Sequence, residues 1–501
     1  MSETPNPIAE VRAALYQHIA DSFPHAMTLG QQSATTALAD FLADPRSDQA
    51  FILRGYAGTG KTSLVGALVK VMQALGRDTV LLAPTGRAAK VFSLNADKAA
   101  YTIHKVIYRQ QTFAGEDSIF SRGWNKHRAA LFIVDEASMI ANRGGGSTRF
   151  GTGCLLDDLI HFVFSAPGCK LLLVGDTAQL PPVGEILSPA LSREAIEGYG
   201  LTVREADLTE VVRQAEQSAV LRDATLLRGL IEREDLCLPQ VEYYPYTTQP
   251  VEGQEVKRVP GDELIEALIS SYSQWGRADT IVVTRSNKRA NIYNNGIRAR
   301  ILDFEDVLTR GDIIMAVKNN YHWVRPTPAE ATEADDAAPA SQPMDFIANG
   351  DIAEVVRFRN RHEQYGFTFA DVTLRFVDYD DYEIEVRVLL DTLQSESPSL
   401  STEEQNRLYE SVLADYAHLT TKAARMKALR EDPYYNALQI KYAYAVTCHK
   451  AQGGGWHEVF VDQGYLTEDM ADLSYLRWLY TAFTRTSGNL YLVNWPEQNT
   501  A

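Results

Sequence analysis

The stretch Gly55-Tyr56-Ala57-Gly58-Thr59-Gly60-Lys61-Thr62 decides how this chain is read. It fits G-x-x-x-x-G-K-[S/T] in full. Glycines let a backbone wrap a phosphate with its N–H groups. Upstream, Phe51-Ile52-Leu53-Arg54-Gly55 reads as a short buried strand. Downstream, from Ser63 to Leu75, apolar residues recur at helical spacing (Leu64, Leu68, Val71, Met72, Leu75), with Gly76 as the stop. The loop therefore opens a helix, whose N-terminal dipole adds to the attraction for phosphate. In such a loop Gly55, Gly58, Thr59 and Gly60 shape the cradle. Lys61 is placed for the β- and γ-phosphates, and the Thr62 hydroxyl for Mg²⁺. ATP and Mg²⁺ are the expected cofactors.

Outward from the loop, three more apolar runs read as strands: Thr79–Ala83, Leu131–Asp135 and Leu171–Gly175. Continuous apolar runs fit strands buried on both faces, and their alternation with helices implies a parallel α/β sheet. In such sheets the ligand sits at the carboxyl ends of the strands. Asp135-Glu136 follows the third strand directly. Asp135 can hold Mg²⁺, and Glu136 can orient and deprotonate an attacking water. Gly175-Asp176-Thr177-Ala178-Gln179-Leu180-Pro181-Pro182 ends the fourth strand. Its Gln179, held by a stiff Leu-Pro-Pro segment, can touch a γ-phosphate and report its loss.

A second α/β block begins near Val212, with helices over 262–274 and 286–300 and a strand over 279–284. It resumes at Tyr442–Val446 and at Leu490–Val493. Between these pieces, 312–317, 351–358, 366–378 and 383–390 read as strands of a small inserted β-barrel. Residues 328–345 hold five acids and no base and read as a flexible loop. Ser401-Thr402-Glu403-Glu404 resembles a capping box that opens a helical stretch to about Arg430.

The 501 residues suffice for about three domains, and 45% hydrophobic with 23% charged content is ordinary for a globular protein. No apolar run approaches the roughly 20 residues needed to span a bilayer. Cys154, Cys169, Cys237 and Cys448 are scattered, which suggests free thiols in a reducing cytoplasm rather than a zinc knuckle or disulfides. The net charge of −17 argues against a generic nucleic-acid coat, though not against a narrow gripping channel. The charge is uneven: residues 77–130 carry nine Lys/Arg against four Asp/Glu, and 285–300 carry five bases and no acid. Either stretch also fits a solvated helical face.

The ordered set resembles superfamily 1 helicases, in the RecD-like and Dda-like branch that moves 5′ to 3′. Gly55–Thr62 is similar to motif I of that family, and Ala83-Pro84-Thr85-Gly86-Arg87-Ala88-Ala89 to motif Ia. Thr102-Ile103-His104 resembles the threonine-histidine element that follows it. Asp135-Glu136-Ala137-Ser138 resembles motif II, and Gly175–Val183 motif III. Val212-Arg213-Gln214 resembles motif IV, Val446–Gly453 motif V, and Tyr480–Thr486 motif VI.

The resemblance implies a fold of two RecA-like P-loop NTPase domains clamping ATP. The first would span 1–211, with a small strand-splitting pin insertion at about 104–128. The second would span 212–310 and 436–501, with an SH3-like β insertion plus helical segment at 311–435. From spacing alone Arg213 and Arg485 read as surface or salt-bridge arginines. The resemblance makes them the arginines that neutralise transition-state charge. It also makes Gln31 the adenine reader, with Gln32 a close rival, and Thr85, His104, Thr447 and His449 the DNA-backbone contacts. Tyr108, Phe113, Phe120, Trp124, Tyr321 and Trp323 are possible base-stacking platforms, each also readable as a core or barrel residue.

The expected partners are single-stranded and tailed duplex DNA, with no membrane and a functional monomer. Replication, recombination and repair all fit such an activity. A P-loop ATPase that remodels a protein or RNA partner is the alternative, and a non-catalytic scaffold is a third reading. One departure stands out. The family usually carries an acidic or polar residue after the Gln-Gly of motif V, whereas this chain reads Gln452-Gly453-Gly454-Gly455-Trp456.

Overall fold

The computed structural model describes residues 7–111, 119–142, 151–212, 218–247, 255–324, 344 and 346–496. By their contacts, the described residues of 7–110, 120–261 and 451–496 form one compact unit, and those of 262–450 belong to a second.

The first unit opens with helices α1 (Pro7–Ser22) and α2 (Leu29–Ala43). A capping box starts α2: Thr28 Oγ1 accepts from Gln31 N, and Gln31 Oε1 accepts from Thr28 N. There follow β1 (Gln49–Gly55), α3 (Lys61–Ala74), β2 (Thr79–Ala83), α4 (Gly86–Ala96), β3 (Ala100–Thr102) and α5 (Ile103–Ile107). Then come β4 (Tyr108–Gln111), β5 (Ile119–Arg122), β6 (Leu131–Val134), α6 (Leu155–Phe164), β7 (Lys170–Gly175), α7 (Arg193–Glu197) and β8 (Thr202–Leu208).

Six of these strands form a parallel sheet in the order β3-β2-β6-β7-β1-β8. Its strands alternate between two cores, because successive side chains leave opposite faces. Ile52, Leu82, Phe132, Val134, Leu171 and Leu173 pack with Ile107 and Leu159 on one face. Phe51, Leu53, Leu81, Ile133, Leu172 and Val174 pack with Leu64 and Leu68 of α3 on the other. Burial on both faces is why β2, β6 and β7 show near-continuous apolar runs. The sequence reading did not include β8, whose partly exposed Arg204, Glu205 and Asp207 hide the strand pattern at a sheet edge. β4 and β5 form a separate two-stranded sheet within the expected pin region, and residues 112–118 lie outside the described residues. The unit continues with α8 (Ala219–Arg233), β9 (Tyr244–Pro245) and β10 (Val256–Val259).

The second unit holds α9 (Leu264–Trp275), β11 (Thr280–Thr284) and α10 (Asn287–Arg300). Next are β12 (Ile313–Ala316), β13 (Ile352–Gln364), β14 (Phe367–Phe376) and β15 (Tyr382–Leu389). α11 (Thr402–Asp415), α12 (Lys422–Glu431), β16 (Leu438–Tyr442), β17 (Ala445–Thr447) and α13 (Cys448–Ala451) complete the run. β12 to β16 close into a five-stranded barrel. Its fifth strand, β16, lies inside 436–501, the span read from sequence as a return to the second RecA-like domain. β17 is the strand that pairs in parallel with β11. Arg298 of α10 donates to both carboxylate oxygens of buried Asp312 at 2.8 and 2.9 Å, which anchors the start of the barrel. The loop 328–345 is outside the described residues except for Met344, which is buried. The helical stretch after Ser401 is two helices rather than one, and its capping box is present.

The chain returns to the first unit with β18 (Trp456–Asp462), α14 (Leu473–Phe483) and β19 (Thr486–Val493). β18, β19, β10 and β9 lie side by side, all parallel. The architecture is thus two RecA-like parallel α/β domains with a β-barrel inserted in the second. Among the described residues no helix is long and apolar enough to cross a membrane.

Candidate functional site

Strand order lays out the site. β6, β7 and β1 are neighbours in the sheet, so the segments leaving their carboxyl ends converge. One cavity there is lined by Gly58, Gly60, Lys61 and Thr62 after β1, Asp135 and Glu136 after β6, and Asp176 and Gln179 after β7. Gln31, Thr484 and Arg485 also line it. Gly55 and Thr59 shape the loop from beneath. A Cβ on Gly55 would lie 2.8 Å from Lys61 Cγ, so only glycine fits there. Gly58 and Gly60 sit at φ 73° and 83°, the left-handed region that glycine reaches without steric cost. Thr59 Oγ1 donates to Tyr56 O at 2.8 Å, and the Lys61 ammonium donates to Tyr56 O at 2.9 Å and to Gly55 O.

Glu136 adopts φ 51°, unusual for a non-glycine residue, and its N–H donates to Asp135 Oδ1 at 2.9 Å. Burial, and next the charge of Glu136, push the Asp135 carboxyl above its ordinary range. Gln179 is buried, and its Oε1 has no hydrogen-bond partner. An orphaned acceptor carries a desolvation cost, so Gln179 fits a place where a ligand supplies the partner. Thr62 and Asp135 offer the hard oxygens Mg²⁺ takes, and the raised Asp135 carboxyl fits a position short of positive charge.

Gln31 lines the cavity with its amide engaged. Its Oε1 accepts from Thr28 N, and its Nε2 donates to Thr59 O, both at 3.0 Å. The rival Gln32 is exposed and donates to Met27 O at 3.1 Å. Arg485 is buried at the cavity wall, with its guanidinium donating to Thr481 O, Gly454 O and Thr484 Oγ1. Arg213 lies outside the described residues. Its neighbour Val212 lines the cavity and donates its N–H to Gly58 O at 3.1 Å.

Sequence reasoning missed several participants. Tyr480 OH donates to Asp176 Oδ2 at 2.7 Å and accepts from Ala57 N at 2.9 Å, which ties α14 to the P-loop. Burial raises both the Asp176 carboxyl and the Tyr480 phenol. Thr481 Oγ1 accepts from Leu180 N at 2.8 Å. Phe23, His25 and Tyr56 also line the cavity. Asp176 and Tyr480 stood inside quoted motifs, so their position was legible and only their roles were not. Phe23 and His25, in the turn before α2, carry no sequence signal.

The DNA-contact candidates lie elsewhere. Thr85 caps α4, its Oγ1 accepting from Ala88 N at 3.2 Å, and His104 is in α5. These segments leave β2 and β3, the sheet neighbours beyond β6, so they share the carboxyl edge with the cavity without lining it. Burial lowers the His104 imidazole to about 4. Thr447 and His449 belong to the second unit, at the end of β17 and in α13. Tyr108 is a core residue, its hydroxyl donating to Asp158 Oδ2 at 2.7 Å, whereas Trp124 is 89% exposed. Trp323 donates to Asn436 O, and Tyr321 packs on Phe346. Phe113 lies outside the described residues. All four cysteines are free, and no group of His, Cys, Asp and Glu among the described residues could hold a metal on its own.

Residues 27–232 match the AAA domain family, and 442–493 match the UvrD-like helicase C-terminal domain. The ATP-dependent RecD2 DNA helicase of Deinococcus radiodurans is 33% identical over 184 residues, which is 36% of this chain and 22% of that one. The ATP-dependent DNA helicase dda of Enterobacteria phage T4 is 22% identical over 461 residues, 87% of this chain and 92% of that one. In these matched spans the chain is similar to superfamily 1 helicases of the RecD- and Dda-like branch. It spans about a fifth of the RecD2 helicase it matches. The crystal structure of Bacteroides Pif1 bound to single-stranded DNA aligns over 95% of this chain and 94% of that one, with 14% identity and a TM-score of 0.44.

Proposed function

We propose that this chain is an ATP-dependent helicase or translocase that moves 5′ to 3′ on single-stranded DNA and separates tailed duplexes. The observation that carries this reading is the convergence of Lys61, Thr62, Asp135, Glu136, Gln179 and Arg485 on one cavity. In this reading the P-loop amides and Lys61 hold the β- and γ-phosphates. Gln31 has one Nε2 hydrogen and one Oε1 lone pair left over, enough to read adenine. Thr62 and Asp135 would hold Mg²⁺, which supplies neutralisation of phosphate charge when bound. Glu136 orients a water and takes its proton as the water oxygen attacks the γ-phosphorus. The bond to the β–γ bridging oxygen breaks, and ADP leaves with that oxygen's electrons. Arg485, with Arg213, stabilises the charge on the transferring group.

Gln179 reports the state of the γ-phosphate along the Leu180 backbone. That backbone is bonded to Thr481 and, through Leu180 O, to Gln452 Nε2 at 2.7 Å. Thr85, His104, Thr447 and His449 grip the DNA backbone, so binding is largely independent of sequence. Exposed Trp124 can stack on a base. The test is strand separation with ATP and Mg²⁺ on duplexes bearing a 5′ tail, a 3′ tail or none. Activity on the 5′-tailed form alone is expected. Activity only on the 3′-tailed form overturns the polarity, and ATP turnover indifferent to DNA favours an ATPase that acts on a protein or RNA partner.

A further inference from the structure

The glycine run after motif V makes a set of specific contacts in the first unit. Gly453 sits at φ 72°, and a Cβ there would lie 3.1 Å from Thr85 Oγ1 and 3.2 Å from Ala88 Cβ. Any side chain would therefore press on the cap of α4. A Cβ on Gly454 would lie 2.5 Å from Trp456 Cη2, so the buried indole needs a glycine beneath it. Arg87, in the first turn of α4, places its guanidinium carbon 4.0 Å from the Trp456 ring centroid. The same guanidinium donates from Nη2 to Gly455 O at 2.6 Å. On the adjoining residue, Gly454 O accepts from Arg485 Nη1 at 3.2 Å. Two consecutive carbonyls thus hold two arginines. One arginine lines the nucleotide cavity, and the other sits two residues from Thr85.

We propose that residues 453–456 and Arg87 form the link through which the state of the nucleotide cavity reaches the DNA-contacting end of α4. The proposal rests on the helicase reading above. Arg485 spends a donor on Gly454 O. Turning that guanidinium toward a phosphate gives up the bond and releases the glycine loop. Arg87 is fixed to the loop twice, by a hydrogen bond and by its cation–π face, so the first turn of α4 and the Thr85 cap follow. Arg87 and Trp456 are positioning residues: neither lines the cavity, and each acts through Arg485 or Thr85. Arginine suits the link better than lysine because its planar group can donate to a carbonyl and stack on an indole at once.

The test compares wild type, Arg87→Gln, Arg87→Lys, Trp456→Leu and Trp456→Phe. ATP turnover is measured without DNA and with rising oligothymidylate. The expected result is a basal rate and ATP KM within about twofold of wild type, with DNA stimulation reduced about tenfold in Arg87→Gln and Trp456→Leu, an ordinary size for coupling between sites. Trp456→Phe, which keeps an aromatic face, should retain most of the stimulation, and Arg87→Lys should fall between. Should Trp456→Leu fail to fold, Arg87→Gln decides, because Arg87 is only half-buried. Wild type that oligothymidylate does not stimulate overturns the helicase reading and this link with it. Stimulated wild type with equally stimulated variants overturns the link alone, as does a basal rate that falls in step with the stimulated one.

Discussion

Lys61 donates to two carbonyls of its own loop. A phosphate must take that ammonium over, and little else in the fold depends on it. Lys61→Ala should therefore lower kcat by about 100-fold or more, the scale of losing one preorganised transition-state donor. Its melting temperature should stay within a few degrees of wild type. Gln179 makes the opposite trade visible. Its buried Oε1 has no partner, and removing such a group can recover about 1 kcal/mol or more. Gln179→Met should match or exceed wild type in urea midpoint while hydrolysis falls steeply. A clear loss of stability would mean that Oε1 has a partner in solution. That these residues meet at one cavity was legible because the motifs name the residue types. Tyr480 was not, because its bond to Ala57 N joins positions 423 residues apart, and nothing local encodes that pairing.

Elements reveal how caps and buried acids hold the site. Gln31 closes the capping box of α2 and also donates to Thr59 O, so one side chain joins a helix end to the P-loop. Gln31→Ala should cost about 1–2 kcal/mol in chemical denaturation, the sum of a cap and a buried hydrogen bond. It should also raise KM for ATP. The motif comparison suggested a base reader here, and the box explains why the same residue carries structural weight. In the barrel, Asp351 accepts from Ala348 N at 2.7 Å and from Tyr379 OH at 3.1 Å, yet burial pushes its carboxyl up to about 7. Unfolded, the group titrates near 4. Between those values the native state holds a proton that the unfolded chain has released, so stability falls as pH rises through that window. The slope is at most about 1.4 kcal/mol per pH unit from this group. Asp351→Asn should flatten it in urea titrations at pH 4, 5.5 and 7; an unchanged slope would assign the effect elsewhere. Four of the five barrel strands were readable from strand runs set between turn residues, and β16 was not. Strand β8 was not, because an edge position relaxes the demand for apolar residues on both faces.

At the level of the molecule, the charge of −17 and the proposed grip make a linked prediction. The candidate contacts Thr85 and Thr447 are neutral, and so is His104, whose imidazole is lowered to about 4. A grip of this kind neutralises at most about two phosphates, so affinity for an oligothymidylate should fall less than roughly tenfold between 50 and 200 mM salt. A steeper fall would move the grip to the basic stretches at 77–130 and 285–300. The two-domain plan was legible because motifs I, Ia, II, III and V fall at the carboxyl ends of parallel strands, where strand order brings distant segments together. The join after motif V was not legible, since its logic lies in what a Cβ would strike.

The most direct test of the account is steady-state ATP turnover by wild type and Lys61→Ala as oligothymidylate is added. The account predicts a wild-type rate that climbs with DNA to a plateau, and a Lys61→Ala rate that stays near zero throughout. A flat wild-type profile, or a Lys61→Ala protein that hydrolyses ATP at the wild-type rate, would contradict it.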